Sequence, residues 1–328
     1  MFNRDSFHRD VVQKLVTPVI AAPMFLISGP DLVVATCRAG AIGAFPAPNC
    51  RTPGQLDQWL TEIRTRLDEA RAQGESPAPW ALNLITHSSN ERLSADIEIL
   101  AKHKPPIVIT ALGSPAPVIA AVHAYGGIVV ADVVSIALAR KAVAAGADGL
   151  ACVSAGAGGH TGHLSPFAFV SGVREFFSGL VIIGGGIGDG WGVAGAIAAG
   201  ADLVYVGTRF LATEESMAPR AYKEMVVEHG ADDLVVTAAI TGANASWLRP
   251  SLEANGIDIS NAHPAGHAPN YNAAGNVQGR WRDIWAAGQG IEIIDAVAPA
   301  AAVVETLSAE YRAASERLFA RTAGAQSR

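Results

Sequence analysis

Short apolar runs rich in Val, Ile and Ala recur along this chain near residues 18–22, 41–45, 80–85, 107–112, 128–132, 148–153, 180–183 and 203–206. Brief runs of this kind, apolar without alternation, predict strands buried on both faces. Between them, apolar positions fall at helical spacing over 55–72, 91–102, 116–124 and 136–145, and most of these segments end at or near Gly. Strand and helix alternating eight times predict an α/β fold of the parallel (β/α)8 TIM barrel type rather than an open sheet. After Phe210 the pattern changes: 220–228 is helix-like, 262–280 is polar and rich in Asn and Gly, and 216–280 has no clear period-2 strand. These features predict a barrel over 1–215, a small and mainly helical cap inserted at 216–289, and a returning segment, 290–328. Within that segment, amphipathic 298–320 would be the last barrel helix.

Length and composition agree with one large domain. The chain has 328 residues, half of them apolar, which is enough for a sizeable core and argues against disorder. With a formal charge of −6 and no Lys/Arg cluster, it lacks the footprint of nucleic-acid or anionic-membrane binding. No run reaches the ~18 apolar residues of a membrane span, and the N-terminus has neither a signal-peptide core nor a lipidation box, so a cytoplasmic protein is expected. Small molecules are the expected partners. Cys37, Cys50 and Cys152 show no CxxC spacing, so buried free thiols are expected instead of disulfides or a metal site. The histidines form no HxH or HExxH pattern, and no metal is expected. Six Trp and a mean hydropathy of +0.26 leave room for a homodimer face.

Two Gly-rich turns stand out, Ala155-Gly156-Ala157-Gly158-Gly159-His160-Thr161-Gly162 and Gly184-Gly185-Gly186-Ile187-Gly188-Asp189-Gly190. The second follows an apolar strand and precedes a helix, where backbone N–H groups favour phosphate. The next strand runs into Gly207-Thr208-Arg209-Phe210, so two adjacent strand ends offer small residues to one anion. Barrels commonly hold phosphate after their seventh and eighth strands, whereas an open dinucleotide fold places its Gly-rich turn after the first.

The segments Ala22-Pro23-Met24, Asn83, Ala157-Gly158-Gly159-His160-Thr161-Gly162, Gly185-Gly186-Ile187-Gly188-Asp189-Gly190, Gly207-Thr208-Arg209-Phe210-Leu211-Ala212-Thr213 and Trp285-Ala286-Ala287-Gly288-Gln289 occur in the order seen in the nitronate monooxygenase (2-nitropropane dioxygenase) family. The resemblance spans nearly the whole chain. It implies an FMN-binding barrel with a small cap, in which an alkyl nitronate, or a nitroalkane deprotonated by His160, is oxidised with O2 to a carbonyl compound and nitrite.

The resemblance also assigns residues. His160 would accept the substrate proton or orient an anionic substrate; its bland alternative is a loop histidine satisfied by backbone carbonyls. His163 reads as a rim residue. Ala22, Pro23 and Met24 would contact the isoalloxazine, although a lone Met is usually core. Asn83, read as the residue after a strand, would bond the cofactor or merely form a turn. Gly159, Gly184, Gly185, Gly186, Gly207 and Thr208 would cradle the cofactor and its phosphate, and Gln289 would reach it from the returning segment. Two positions depart from the family pattern. Gly156 stands where many relatives carry Glu, and Asp132 stands at a strand end that is often Gln or Lys. A negative Asp132 beside the flavin would disfavour its anionic reduced form. FMN-dependent enoyl-ACP and NADH:quinone reductases share these motifs, so an NAD(P)H oxidoreductase is the alternative reading. A non-redox phosphate-handling barrel is a further one.

Overall fold

A computed structural model describes residues 3–258 and 282–323. The expected 262–280 segment, with His263 and His267, lies outside the described residues. Eight parallel strands close into a barrel: β1 (Val19–Ala21), β2 (Ile42–Pro46), β3 (Trp80–Ile85), β4 (Ile107–Ala111), β5 (Ile128–Val133), β6 (Gly149–Val153), β8 (Leu180–Gly184) and β9 (Leu203–Val206). Closure comes from β1 pairing with both β2 and β9, in the register Ile20↔Ile42 and Ile20↔Tyr205. The strands fall on the runs read from sequence because both of their faces are buried. Ile20, Ile42, Ala81, Ile109, Val130 and Ile182 fill the interior, while Val19, Leu82, Val129 and Val181 belong to clusters packed under the surrounding helices.

The helix starts carry local signals. Thr52 accepts an N–H bond from Gln55 at 3.1 Å, ahead of Pro53 in the helix Pro53–Ala72, and Ser135 caps Ile136–Ala144 in the same way. The C-terminal helix, Ala300–Ala323, buries Val303, Val304 and Leu307 and packs against the helix that follows β8, completing the outer ring. Among the described residues no helix is long and apolar enough to cross a membrane. All three cysteines are buried free thiols, and burial pushes each up to about 12, which removes them as nucleophiles.

The inserted region differs from expectation. Besides the helix Arg220–Glu228 it holds two strands, β10 (Leu234–Thr237) and β11 (Ala245–Leu248), paired antiparallel. A third strand joins them: β7, the pair Gly159–His160 from the turn after β6, with Ala245↔His160 in register. Neither β10 nor β11 alternates. All four residues of β11 are buried, so no period-2 signal exists to be read.

The bottom of the barrel is closed by the N-terminal helix Arg4–Asp10, whose Phe7 packs on the interior cluster. Asp202, just before β9 and fully buried, ties it down. Its carboxylate accepts from Arg4 Nε at 2.9 Å, Arg174 Nη2 at 2.7 Å and the Val181 N–H at 2.8 Å. Burial works to raise its pKa, but these donors together hold it below the usual carboxylate range. We predict that Asp202→Asn lowers stability by about 3 kcal/mol at pH 7, because two guanidinium groups lose their counter-charge. A depressed pKa contributes stability above the unfolded value of ~3.9 that fades as pH falls through the folded one. Urea midpoints should therefore separate wild type from variant at pH 7 and converge only in acid below about pH 4. A gap that closes at neutral pH would contradict this assignment.

Candidate functional site

The strand C-termini meet at one mouth, where the described turns converge. Ala22 leaves β1 with its N–H bonded to Val206 O of β9 at 3.0 Å, which brings Ala22-Pro23-Met24 beside Gly207. A Cβ built on Gly207 would lie 3.8 Å from both Ala22 Cβ and Met24 Sδ, in ordinary contact with each, so the position lies directly against the Ala22-Pro23-Met24 segment. The loop after Met24 is pinned by buried Asn49. Its amide nitrogen donates to Met24 O (3.1 Å) and Ser28 O (2.7 Å), and its oxygen accepts from Leu26 N (2.8 Å). Leu26 has φ +62°, a left-handed conformation unfavourable for a branched side chain and held here by Asn49. Sequence reading missed Asn49, since Ala47-Pro48-Asn49 resembles an ordinary turn.

The two Gly-rich turns are bonded to each other. Ser154 gives both its N–H and its hydroxyl to Gly184 O, at 2.8 and 2.6 Å. Gly185 has φ +134°, and a Cβ there would lie 2.4 Å from Ser154 Oγ and 2.7 Å from Ala155 O, so the position accepts only glycine. The N–H groups of Gly186 and Gln289 both donate to Gly156 O, at 3.0 and 2.9 Å. Thr208 Oγ1 accepts from Gly288 N at 2.9 Å, which leaves its hydroxyl proton to donate elsewhere. The segment 286–289 thus returns over both turns and seals against them.

Two expectations about this cradle need correction. The helix start after Gly188 does not offer its amides to phosphate: Asp189 Oδ1 accepts from Gly192 N (2.6 Å) and Glu310 Oε2 from Gly190 N (2.8 Å). Two carboxylates already occupy that anion site, and a phosphate there would meet like charge. The Gly186 amide is also engaged, by Gly156. Gly185, Gly207 and Thr208 remain as candidate anion contacts.

His160 sits on β7, between the barrel mouth and the inserted sheet, and Thr161 continues the contact by donating to Asn244 O at 3.0 Å. The imidazole is half-buried, and burial lowers its pKa below the usual imidazole range, so the neutral form is favoured at pH 7. His163 is exposed at the rim. Gln289 is exposed too, with Oε1 beside Gly156 and Gly186. Gly156 takes φ +88°, and a Cβ there would come within 2.7 Å of Gln289 Oε1, so an acidic side chain would have to displace Gln289.

Asn83 lies inside β3, not after it as expected, in register with Pro46 and Ile109. Its amide makes long contacts to Ile109 O (3.4 Å) and Asp132 Oδ2 (3.5 Å). Asp132, near the end of β5, accepts from the Tyr205 hydroxyl at 3.3 Å. Burial pushes its carboxyl up to about 7, against the lowering effect of that bond. Tyr205 was hidden in the sequence as one member of an apolar strand.

Comparison with known proteins agrees with this architecture. Residues 9–310 match the family model described as nitronate monooxygenase. A nitronate monooxygenase of Paraburkholderia phytofirmans is 29% identical, over 92% of this chain and 94% of its own. The structure of FabK from Thermotoga maritima superposes with a TM-score of 0.79 at 28% identity, covering 98% of this chain and all of that one. The nitroalkane oxidase of Streptomyces ansochromogenes gives 0.74 at 25% identity, over 94% of this chain and 99% of that one. Matched from end to end in sequence and in barrel geometry, the chain belongs to the nitronate monooxygenase family of flavin-dependent oxidoreductases.

Proposed function

We propose that this protein holds FMN at the barrel mouth and oxidises alkyl nitronates, or nitroalkanes deprotonated in place, with O2 to carbonyl compounds and nitrite. The observation that carries the reading is the position of His160, paired with Ala245 of the inserted sheet and carried by the same turn whose Gly156 is bonded to the 184–186 turn. The residues present suit FMN. Gly185 has no room for a side chain, Gly207 lies against Ala22 and Met24, and Thr208 keeps a hydroxyl proton for a phosphate oxygen. FMN, when bound, accepts electrons from the substrate and delivers them to O2.

The chain's own residues do the rest. Ala22, Pro23 and Met24 form one wall of the mouth, with Asn49 fixing their loop; Asn83 supplies an amide from the interior, and Gln289 closes the edge near Gly186. His160 takes the α-proton of a neutral nitroalkane on its unprotonated ring nitrogen. A preformed nitronate has already lost that proton and needs the imidazole only for placement. The described parts of the inserted region, 216–258 and 282–289, cap the mouth and limit water access. Buried free thiols suit a reducing, cytoplasmic setting.

Gly185→Asp tests the cradle in two ways at once, since the added Cβ collides with Ser154 Oγ and Ala155 O and the carboxylate brings negative charge beside the phosphate. A carboxylate ~4 Å from phosphate costs about 4 kcal/mol at an effective dielectric of 20, roughly three decades of affinity. The variant should purify without the flavin absorbance band, and a fully yellow one would move the phosphate elsewhere.

His160→Asn tests the base. It should retain FMN, lose ~10²–10⁴-fold in rate with a neutral nitroalkane, and lose much less with the preformed nitronate. Near-wild-type rates on both forms would remove His160 from the mechanism. Because the imidazole pKa is lowered, wild-type turnover of the neutral nitroalkane should stay level at and above pH 7, and decline only in acid below the usual imidazole range. Rapid anaerobic bleaching of the flavin by NADH, without bleaching by nitronate, would instead favour the NAD(P)H oxidoreductase reading.

A further inference from the structure

The inward-facing positions of β3, β5 and β9 change character at one level. Ala81, Val130 and Leu203 are apolar members of the interior cluster; two residues further along, toward the mouth, stand Asn83, Asp132 and Tyr205. The three polar groups lie together, with Tyr205 Oη 3.3 Å from Asp132 Oδ1 and Asn83 Nδ2 3.5 Å from Asp132 Oδ2. They form the top layer of the packed barrel and hence the floor of the mouth. Asp132 is surrounded by protein yet keeps part of its surface open, as a floor residue would. A second contact ties this layer to the glycine cradle. A Cβ at Gly184 would lie 2.7 Å from Tyr205 Cβ, so the first glycine of that turn is the space the tyrosine occupies.

We infer that Asp132 is a proton-binding partner of the bound flavin, taking up one proton from solvent when the flavin is reduced, so that two electrons enter the protein together with two protons. The inference rests on the FMN reading above. Reduction of oxidised flavin by two electrons with one proton places a negative charge on the cofactor. An ionised Asp132 in the floor opposes that charge, and no described neighbour offsets it. Tyr205 on β9 is held protonated by burial and by Asp132 itself. Cys152, on the adjacent β6, is a neutral thiol, Asn83 on β3 is uncharged, and His160 on β7 is neutral. No Lys or Arg adds to the influences acting on Asp132. The remaining way to relieve the repulsion is to convert the carboxylate to the carboxylic acid. The electrons come from the reductant, the proton comes from solvent through the mouth, and no bond other than the new O–H is formed on the protein. Burial supports this, since it already places the carboxyl at about 7, where a nearby negative charge shifts it across neutral pH.

The FMN-loaded protein is photoreduced anaerobically at pH 8 in weak buffer with a pH indicator, and protons bound are counted per two electrons. Wild type should take up about two, and Asp132→Asn, which keeps the side-chain size, about one, with the slope of midpoint potential against pH halved. Tyr205→Phe removes the bond that holds the Asp132 pKa down, so its two-proton window should move to higher pH, a readout that survives if Asp132→Asn fails to fold. A yellow wild-type protein that binds one proton at every pH from 7 to 9, or equal counts in wild type and Asp132→Asn, would overturn the role of Asp132 alone. A protein that takes up no flavin would overturn the cofactor reading as well.

Discussion

The carbonyl oxygen of Gly156 accepts N–H bonds from Gly186 and from Gln289, at 3.0 and 2.9 Å, and so joins chain segments 30 and 133 residues downstream at a single atom. One carbonyl has two lone pairs, and both are used. The turn after β6, the turn after β8 and the returning segment 286–289 are therefore not independent loops. Backbone packs on backbone here: a Cβ on Gly288 would lie 2.6 Å from Gly156 O, and one on Gly158 would lie 2.7 Å from Gly288 N. The glycines are needed because three main chains share the volume that side chains would otherwise take. With the turns fixed in this way, Gly185 keeps its left-handed conformation and the cradle beside Thr208 keeps its shape.

The two ends of the barrel are built on different electrostatic plans. At the bottom, buried Asp202 is matched by Arg4, Arg174 and a backbone donor, and charge is neutralised locally. At the top, Asp132 meets a phenol and an amide, and among the described residues no cation is paired with it. The first arrangement stabilises the fold. The second costs stability, as groups with strongly shifted pKa values in a cleft commonly do.

Much of this was legible in the sequence because barrel strands are buried on both faces and so appear as unbroken apolar runs. The strand positions and the closure could be read from their spacing, and the Gly-rich turns announced where the mouth would be. What escaped reading was non-local. β7 is a strand only because it pairs with β11, and β11, Ala245-Ser246-Trp247-Leu248, is too short and mixed to show either an alternating pattern or an unbroken apolar run. The helix start after Gly188 looked free for an anion because Glu310, its second cap, lies 120 residues further along the chain. Asn83 resembled a turn former because Asn usually is one, and its place inside β3 is set by register with β2 and β4. Tyr205 and Asn49 gave no local signal, since each acts on a segment far away in sequence.

His160 belongs to the barrel by sequence and to the inserted sheet by hydrogen bonding, since it pairs with Ala245. The proposed base is thus mounted on the structure that shapes the substrate space. Drift in β10 or β11 that widened or narrowed the cap would also move the imidazole relative to the cradle. Under the proposed function, the choice of substrate and the capacity to ionise it are inherited together, and evolution or design can alter one without the other only by holding the Ala245 pairing fixed.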